Sequence, residues 1–140
     1  MRILAIDHGE KQIGLALSDP TGTIANPLQV IAHISREKDI EQVVALAVEH
    51  QVSLIVIGQS LGEDGQPNLA GRRAGNFAEA LRQQSGLPVE FWDESFSTRD
   101  ARAARVQMGV SRKRRSGHLD ALAATIILQS FLDMRATSGT

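Results

Sequence analysis

Apolar and polar positions along the chain change period twice. Residues 2–7 form a short apolar run, Arg2-Ile3-Leu4-Ala5-Ile6-Asp7, that ends in an acid. His8-Gly9-Glu10-Lys11 supplies turn chemistry, and residues 12–18 then alternate through Ile13, Leu15 and Leu17, the period of a strand. Asp19-Pro20-Thr21-Gly22 is a second turn. Residues 23–33 read as a third strand, and Pro27, which has no N–H to donate, predicts a sheet edge or a bulge there. Three strands joined by tight turns predict an antiparallel meander.

The period then becomes helical. Ser35 is a candidate N-cap, and Ile40, Val43, Val44, Ala47 and Val48 share one helical face. Residues 52–57 are a continuous β-branched run, the pattern of a strand buried on both faces. A glycine-rich loop covers residues 58–68. A second helix carries Ala70, Ala74, Phe77, Ala78 and Leu81 on its core face and stops near Gly86. Residues 88–92 form a further strand leading into Asp93-Glu94. Ser97 can cap a helix reaching about Met108, with Ala101, Ala104 and Met108 on one side and Arg99, Arg102 and Arg105 on another. A polar, basic connection follows over residues 109–117. The last helix, about 118–134, is the most apolar, and residues 136–140 read as a loose tail behind a single domain over 1–135.

The order β-β-β-α-β-α-β-α-α defines an α/β chain. It predicts a five-stranded mixed sheet, three antiparallel strands followed by parallel ones, with helices on both faces. That is the order of a ribonuclease-H-like fold.

Composition narrows the functional classes. The chain has 140 residues, which fits one domain, and 42 % of them are hydrophobic, enough to close a core. With no cysteine, disulfides, thiolate metal sites and a cysteine nucleophile are excluded. No stretch approaches the roughly 18 to 20 apolar residues of a membrane span, and the first residues carry no signal pattern. A soluble cytoplasmic protein with no membrane partner is the expectation.

The net charge of −1 hides an asymmetry. Residues 1–98 carry −6, whereas residues 99–115 carry +6 from Arg99, Arg102, Arg105, Arg112, Lys113, Arg114 and Arg115 against Asp100 alone. A basic block on an acidic body suits contact with a phosphate backbone, and a solvated loop is the competing reading.

The acids are the candidate chemistry. Asp7 ends the first strand next to Gly9, where a carboxylate can ligate a hard cation or simply close an Asx turn. Asp120 shares a helical stripe with Ala124, Ile127 and Phe131. A carboxylate on a packing face is costly unless it is paired or metal-bound, and the helix dipole offers the other explanation. Asp93 and Glu94 alternate across the last strand, so only one of them can face a common site. The carboxyl ends of parallel strands form the usual ligand crevice, where Asp7, one of Asp93/Glu94, and Asp120 could converge. Three carboxylates without cysteine select Mg²⁺ or Mn²⁺ over zinc. His8, His33, His50 and His118 have no metal-ligand spacing and read as surface or turn residues. Ser95, Ser97 and Thr98 can hydrogen-bond a phosphate, although capping alone explains Ser97. No nucleophile elbow, Walker-A loop or dinucleotide fingerprint is present. With one Trp, no Tyr and four Phe, a large base-stacking platform is not expected.

Taken together, these segments resemble the YqgF family, bacterial pre-16S rRNA nucleases and Holliday-junction-resolvase-like proteins. The matching residues are Ile6-Asp7-His8-Gly9, Ile13-Gly14-Leu15-Ala16 with Ser18-Asp19, and Ile55-Val56-Ile57-Gly58 with Asp64-Gly65. They continue with Asp93-Glu94-Ser95, Ser97-Thr98, Leu119-Asp120, Ala123-Ala124 and Ile127-Leu128. The resemblance implies a ribonuclease-H-like fold and a metal-dependent nuclease site built from Asp7, Glu94 and Asp120. Its implied partner is nucleic acid, either structured RNA such as pre-rRNA or branched DNA. Two positions depart from the family pattern: Gly58-Gln59-Ser60 lacks the usual Gly-x-Pro proline, and Ser95 replaces an arginine. The readings to be weighed are a nuclease of pre-16S rRNA, a junction resolvase acting as a homodimer, and a non-catalytic nucleic-acid or ribosome-assembly module.

Overall fold

The computed structural model describes residues 1–93 and 118–137; of residues 118–120 and 137 it describes the backbone alone. The strands are β1 (Arg2–His8), β2 (Gln12–Ser18), β3 (Ala25–Ala32), β4 (Val52–Gln59) and β5 (Val89–Asp93). The helices are α1 (Arg36–Glu49), α2 (Leu69–Ser85) and α3 (His118–Thr137). The strands form one sheet in the order β3-β2-β1-β4-β5. β1, β2 and β3 pair antiparallel, while β1 pairs β4 and β4 pairs β5 in parallel. This is the expected mixed sheet.

Pro27 satisfies both of its constraints. β3 is the edge strand, and its ladder with β2 shifts register beside Pro27. Ser35 caps α1 as expected, its side chain accepting from Lys38 N. α2 ends on Gly86 in the left-handed conformation.

Both faces of the sheet are covered. Leu4, Ile6, Ile13, Leu15, Ile55 and Ile57 pack beneath α1 and α2. Ile3, Ala5, Ala16, Leu54 and Val56 pack beneath α3, against Ala124, Ile127, Leu128, Phe131 and Leu132. Within the run at 52–57, Leu54, Ile55, Val56 and Ile57 are therefore buried on both sides of the sheet, as expected, while Ser53 is exposed. No helix among the described residues is long and apolar enough to cross a membrane.

Three expectations need correction. Val48 is 73 % exposed, because the buried stripe of α1 runs through Asp39, Ile40, Val43 and Ala47 and turns Val48 away. Ala70 is exposed, and Gly71 takes its place on the core face of α2. A Cβ on Gly71 would lie 2.1 Å from the Ser60 carbonyl oxygen, so only glycine allows this approach. The last helix continues through Ala136 and Thr137, where a loose tail is expected from sequence.

Candidate active site

β1 is the central strand, so its carboxyl end lies between β2 and β4. Alternation sends Ile3 and Ala5 to the α3 side of the sheet and Leu4 and Ile6 to the α1/α2 side. Asp7 therefore belongs to the α3 face and His8 to the other. Asp7 is half-buried and pairs across the ladder with Gly14. Gly58 follows Ile57, the partner of Ile6, and aligns with Trp92 on β5. On the α3 face, the row through Asp7 thus has glycine on both sides, so neither ladder neighbour places a side chain beside the carboxylate.

The two candidate acids of β5 are separated by the same alternation. Asp93 aligns with Gln59, whose Nε2 donates to the Gly71 carbonyl of α2 at 3.3 Å. Asp93 is therefore on the α1/α2 face and is not brought together with Asp7. Its neighbour Trp92 is on the α3 face, its ring 5.7 Å from that of Phe131. Glu94, Ser97 and Thr98 lie outside the described residues, as do Arg99, Arg102, Arg105, Arg112, Lys113, Arg114 and Arg115. Asp120 is in the first turn of α3. Among the described residues no group of three or more potential ligands is placed to hold a metal ion. That set includes Asp7, but neither Glu94 nor the Asp120 side chain.

Gly9 has a local explanation. Its N–H donates to the Gln12 carbonyl at 3.0 Å, and a Cβ there would lie 2.6 Å from the same oxygen. The tight β1–β2 turn requires glycine, whatever approaches it from outside. The departure at Gln59-Ser60 is also absorbed locally. Asn68, the N-cap of α2, accepts from Gly71 N at 2.9 Å and donates through Nδ2 to Ser60 Oγ at 2.7 Å.

Asp19 organises the turn between β2 and β3. Its carboxylate accepts from the backbone N–H groups of Ile24, Thr23 and Thr21, and from the Thr21 hydroxyl. The Ile24 bond, then those of Thr21 and Thr23, hold its carboxyl well below the ordinary carboxylate range.

The α1/α2 face holds residues that sequence reasoning passed over. A cavity of about 630 Å³ opens there, lined by His8, His33, Asp39, Arg36, Arg73 and Phe77 among others. Asp39 is fully buried. It accepts from His33 Nδ1 at 2.5 Å and from Ile34 N at 3.1 Å. His8 packs against Phe77 with ring centroids 4.7 Å apart and ring planes tilted by 43°, and its burial pushes the imidazole pKa down. His8 is a half-buried strand residue where a surface or turn residue is expected, whereas His33 does lie exposed in the β3–α1 connection. Periodicity carries no mark of a buried acid in a polar first turn, so nothing in the sequence flags Asp39.

Similarity to known proteins places the chain in a family. The family model described as "RuvX: Holliday junction resolvase" matches residues 1–134. A Clostridioides difficile protein named "Putative pre-16S rRNA nuclease" is 39 % identical over 137 residues, covering 98 % of this chain and 97 % of its own length. A protein of the same name from Anaeromyxobacter is 41 % identical over 135 residues, covering 96 % and 98 %. Among solved structures, Thermus thermophilus RuvC in complex with a Holliday junction superposes with a TM-score of 0.63 at 16 % identity, covering 96 % of each chain. The fowlpox virus Holliday junction resolvase superposes with a TM-score of 0.54 at 16 % identity, covering 96 % of this chain and 99 % of its own. These two likenesses establish the ribonuclease-H-like fold. With the family model and the bacterial relatives matching nearly end to end, the chain belongs to the RuvX (YqgF) family.

Proposed function

We propose that the protein is a metal-dependent nuclease that hydrolyses phosphodiester bonds in 5′-end processing of pre-16S rRNA. The observation that carries this reading is the position of Asp7, a half-buried carboxylate at the end of the central strand, flanked by glycines and facing the helix that bears Asp120.

The length of α3 supports the pairing of Asp7 with Asp120. Gln129 accepts from Ala25 N and donates to the Thr23 carbonyl. Ala25 pairs with Ser18, whose hydroxyl accepts from Ile3 N, so Gln129 is level with the start of β1. The buried residues Ala121, Ala124, Ile127 and Leu128 precede Gln129, so the helix covers the sheet from there back toward its N-terminus. Asp120 is then about 13 Å along the helix from Gln129 at 1.5 Å per residue. Asp7 is about 13 Å along the strand from Ile3 at 3.3 Å per residue. These lengths bring the backbone at Asp7 and at Asp120 to about the same level, which supports the pairing.

Asp7, Glu94 and Asp120 would hold Mg²⁺ or Mn²⁺, since an all-carboxylate set in a cysteine-free chain fits a hard cation. When bound, a pair of such ions supplies an activated water and stabilises the leaving oxygen. The chain's own arginines at 99–115 bind the phosphate backbone without reading its sequence. The α3 helix, closed over Ile3 and Ala5, keeps water from the sheet beneath Asp7.

The description of the family model favours a second substrate, the four-way DNA junction. Side-by-side cleavage of a labelled pre-16S leader and a synthetic junction, with Mg²⁺, Mn²⁺ or EDTA, decides between them. Leader cleavage abolished by EDTA is the expected result. Junction cleavage alone selects the resolvase, and binding without cleavage of either substrate identifies a non-catalytic module.

A further inference from the structure

The cavity on the α1/α2 face is back to back with Asp7 across the sheet. Its size lies within the range of small-molecule sites, roughly 300 to 1,000 Å³. Inorganic phosphate alone would leave most of it empty. Its floor is the His8 ring backed by the buried ring of Phe77.

The rim carries the opposite chemistry. Arg36 begins α1, and Arg73 rises from the second turn of α2. Arg73 bonds Glu10 at 2.6 Å, with the two side chains 48 % and 76 % exposed. Exposed pairs of this kind are weak, and a phosphate offers the guanidinium a stronger, bidentate partner. Between floor and rim stands His33. Asp39 accepts its Nδ1–H, which fixes the ring, and Nε2 is the ring nitrogen left to meet a ligand. The fully buried carboxylate thus holds a polar group of the cavity in place.

We propose that this cavity is a nucleotide-binding site distinct from the nuclease centre, taking one nucleoside monophosphate unit. The base lies against His8 and meets His33 Nε2 at its edge, and the phosphate is held by Arg36 and Arg73. The unit is either a free nucleotide or the 5′-phosphorylated end of a strand, and both present the same chemistry. The proposal does not depend on the nuclease reading.

The test is titration of adenosine monophosphate into the full-length protein, followed by the imidazole resonances of its four histidines. His8 and His33 should shift and saturate, while His50, at the far end of α1, stays in place. Adenosine alone and inorganic phosphate alone should each bind at least tenfold more weakly. Arg36→Ala/Arg73→Ala should raise Kd at least tenfold while His50 keeps its resonance, which shows that the fold is intact. Asp7→Asn should leave Kd unchanged, so that failure of the nuclease reading and failure of this one are told apart. A 5′-phosphorylated trinucleotide that binds more tightly than the monophosphate assigns the site to a strand end; weaker binding assigns it to the free nucleotide. The proposal is overturned if His8 and His33 do not respond, or if phosphate alone binds as well as the nucleotide.

Discussion

Asp7 of β1 stands directly across the antiparallel ladder from Gly14 of β2. Cross-strand partners have Cβ atoms about 4.5 to 5.5 Å apart, so any side chain placed at position 14 would flank the carboxylate. Asp7→Asn should reduce divalent-dependent cleavage by at least about 100-fold, because a neutral amide is a poor ligand for hard cations. Gly14→Val should reduce it as well, by crowding Asp7. Circular dichroism should show the mixed sheet retained in both. Wild-type turnover by Asp7→Asn would remove Asp7 from the active site.

The two acids at the end of β5 should separate in the same assay. Asp93 shares a face with Gln59, and Gln59 bonds α2, on the side of the sheet away from Asp7. Glu94→Gln should therefore be inactive, and Asp93→Asn should keep at least about a tenth of wild-type kcat, a barrier change of no more than ~1.4 kcal/mol. The reverse ranking would mean that alternation breaks between the two residues.

Much of this arrangement is legible in the sequence, for reasons that differ by element. The strand at 52–57 is evident because burial on both faces demands uninterrupted apolar residues, and β4 meets that demand with Leu54, Ile55, Val56 and Ile57. Asp120 draws attention because it shares a stripe with Ala124, Ile127 and Phe131, all of them buried. Asp39 is invisible because its burial rests on two polar donors just ahead of α1, the His33 ring and the Ile34 N–H, which apolar periodicity does not register. Val48 misleads for the same reason. A stripe read from apolar residues alone is rotated by the one acid that joins it.

Asp19 should make stability depend on pH at the acid end. Its folded carboxyl titrates below its ordinary value of 3.8. The contribution of the turn is therefore fully present above that value and is lost as pH falls from it toward the depressed folded value. Asp19→Asn removes the charge and at least one of the accepted bonds. Its Tm should be lower than wild type at neutral pH, and the two should converge as the pH is lowered. A constant Tm gap from neutral to acid pH would show that the carboxylate's charge contributes nothing.

Gln129 joins α3 to the edge of the sheet through two backbone groups of the β2–β3 connection and β3, the Thr23 carbonyl and Ala25 N–H. Gln129→Ala leaves the partly buried Ala25 donor without its partner, a loss of about 1 to 3 kcal/mol. Gln129→Glu keeps the acceptor but loses the bonds donated to the Thr23 carbonyl and to Asp133, and it sets two carboxylates at i and i+4, so it should be destabilised as well. Denaturant melts should place both variants below wild type. Equal midpoints for all three would show that apolar packing alone seats the helix.

The basic block gives a prediction that rests on charge alone. Arg112, Lys113, Arg114 and Arg115 precede Asp120 by five to eight residues, close enough in sequence to hold a phosphate backbone near the helix terminus. Cations that neutralise phosphates release condensed counterions. Replacing all four with alanine should therefore weaken leader RNA and junction DNA by a similar factor. It should also flatten the dependence of log affinity on log salt by about 0.7 to 0.9 for each phosphate that is no longer neutralised. The rate at saturating substrate should change much less, because Asp7, Glu94 and Asp120 are untouched. A solvated loop without a binding role predicts an unchanged slope and unchanged affinity. An unchanged slope with collapsed turnover would instead give the block a part in the chemical step, where cations beside developing negative charge lower the barrier and not the dissociation constant.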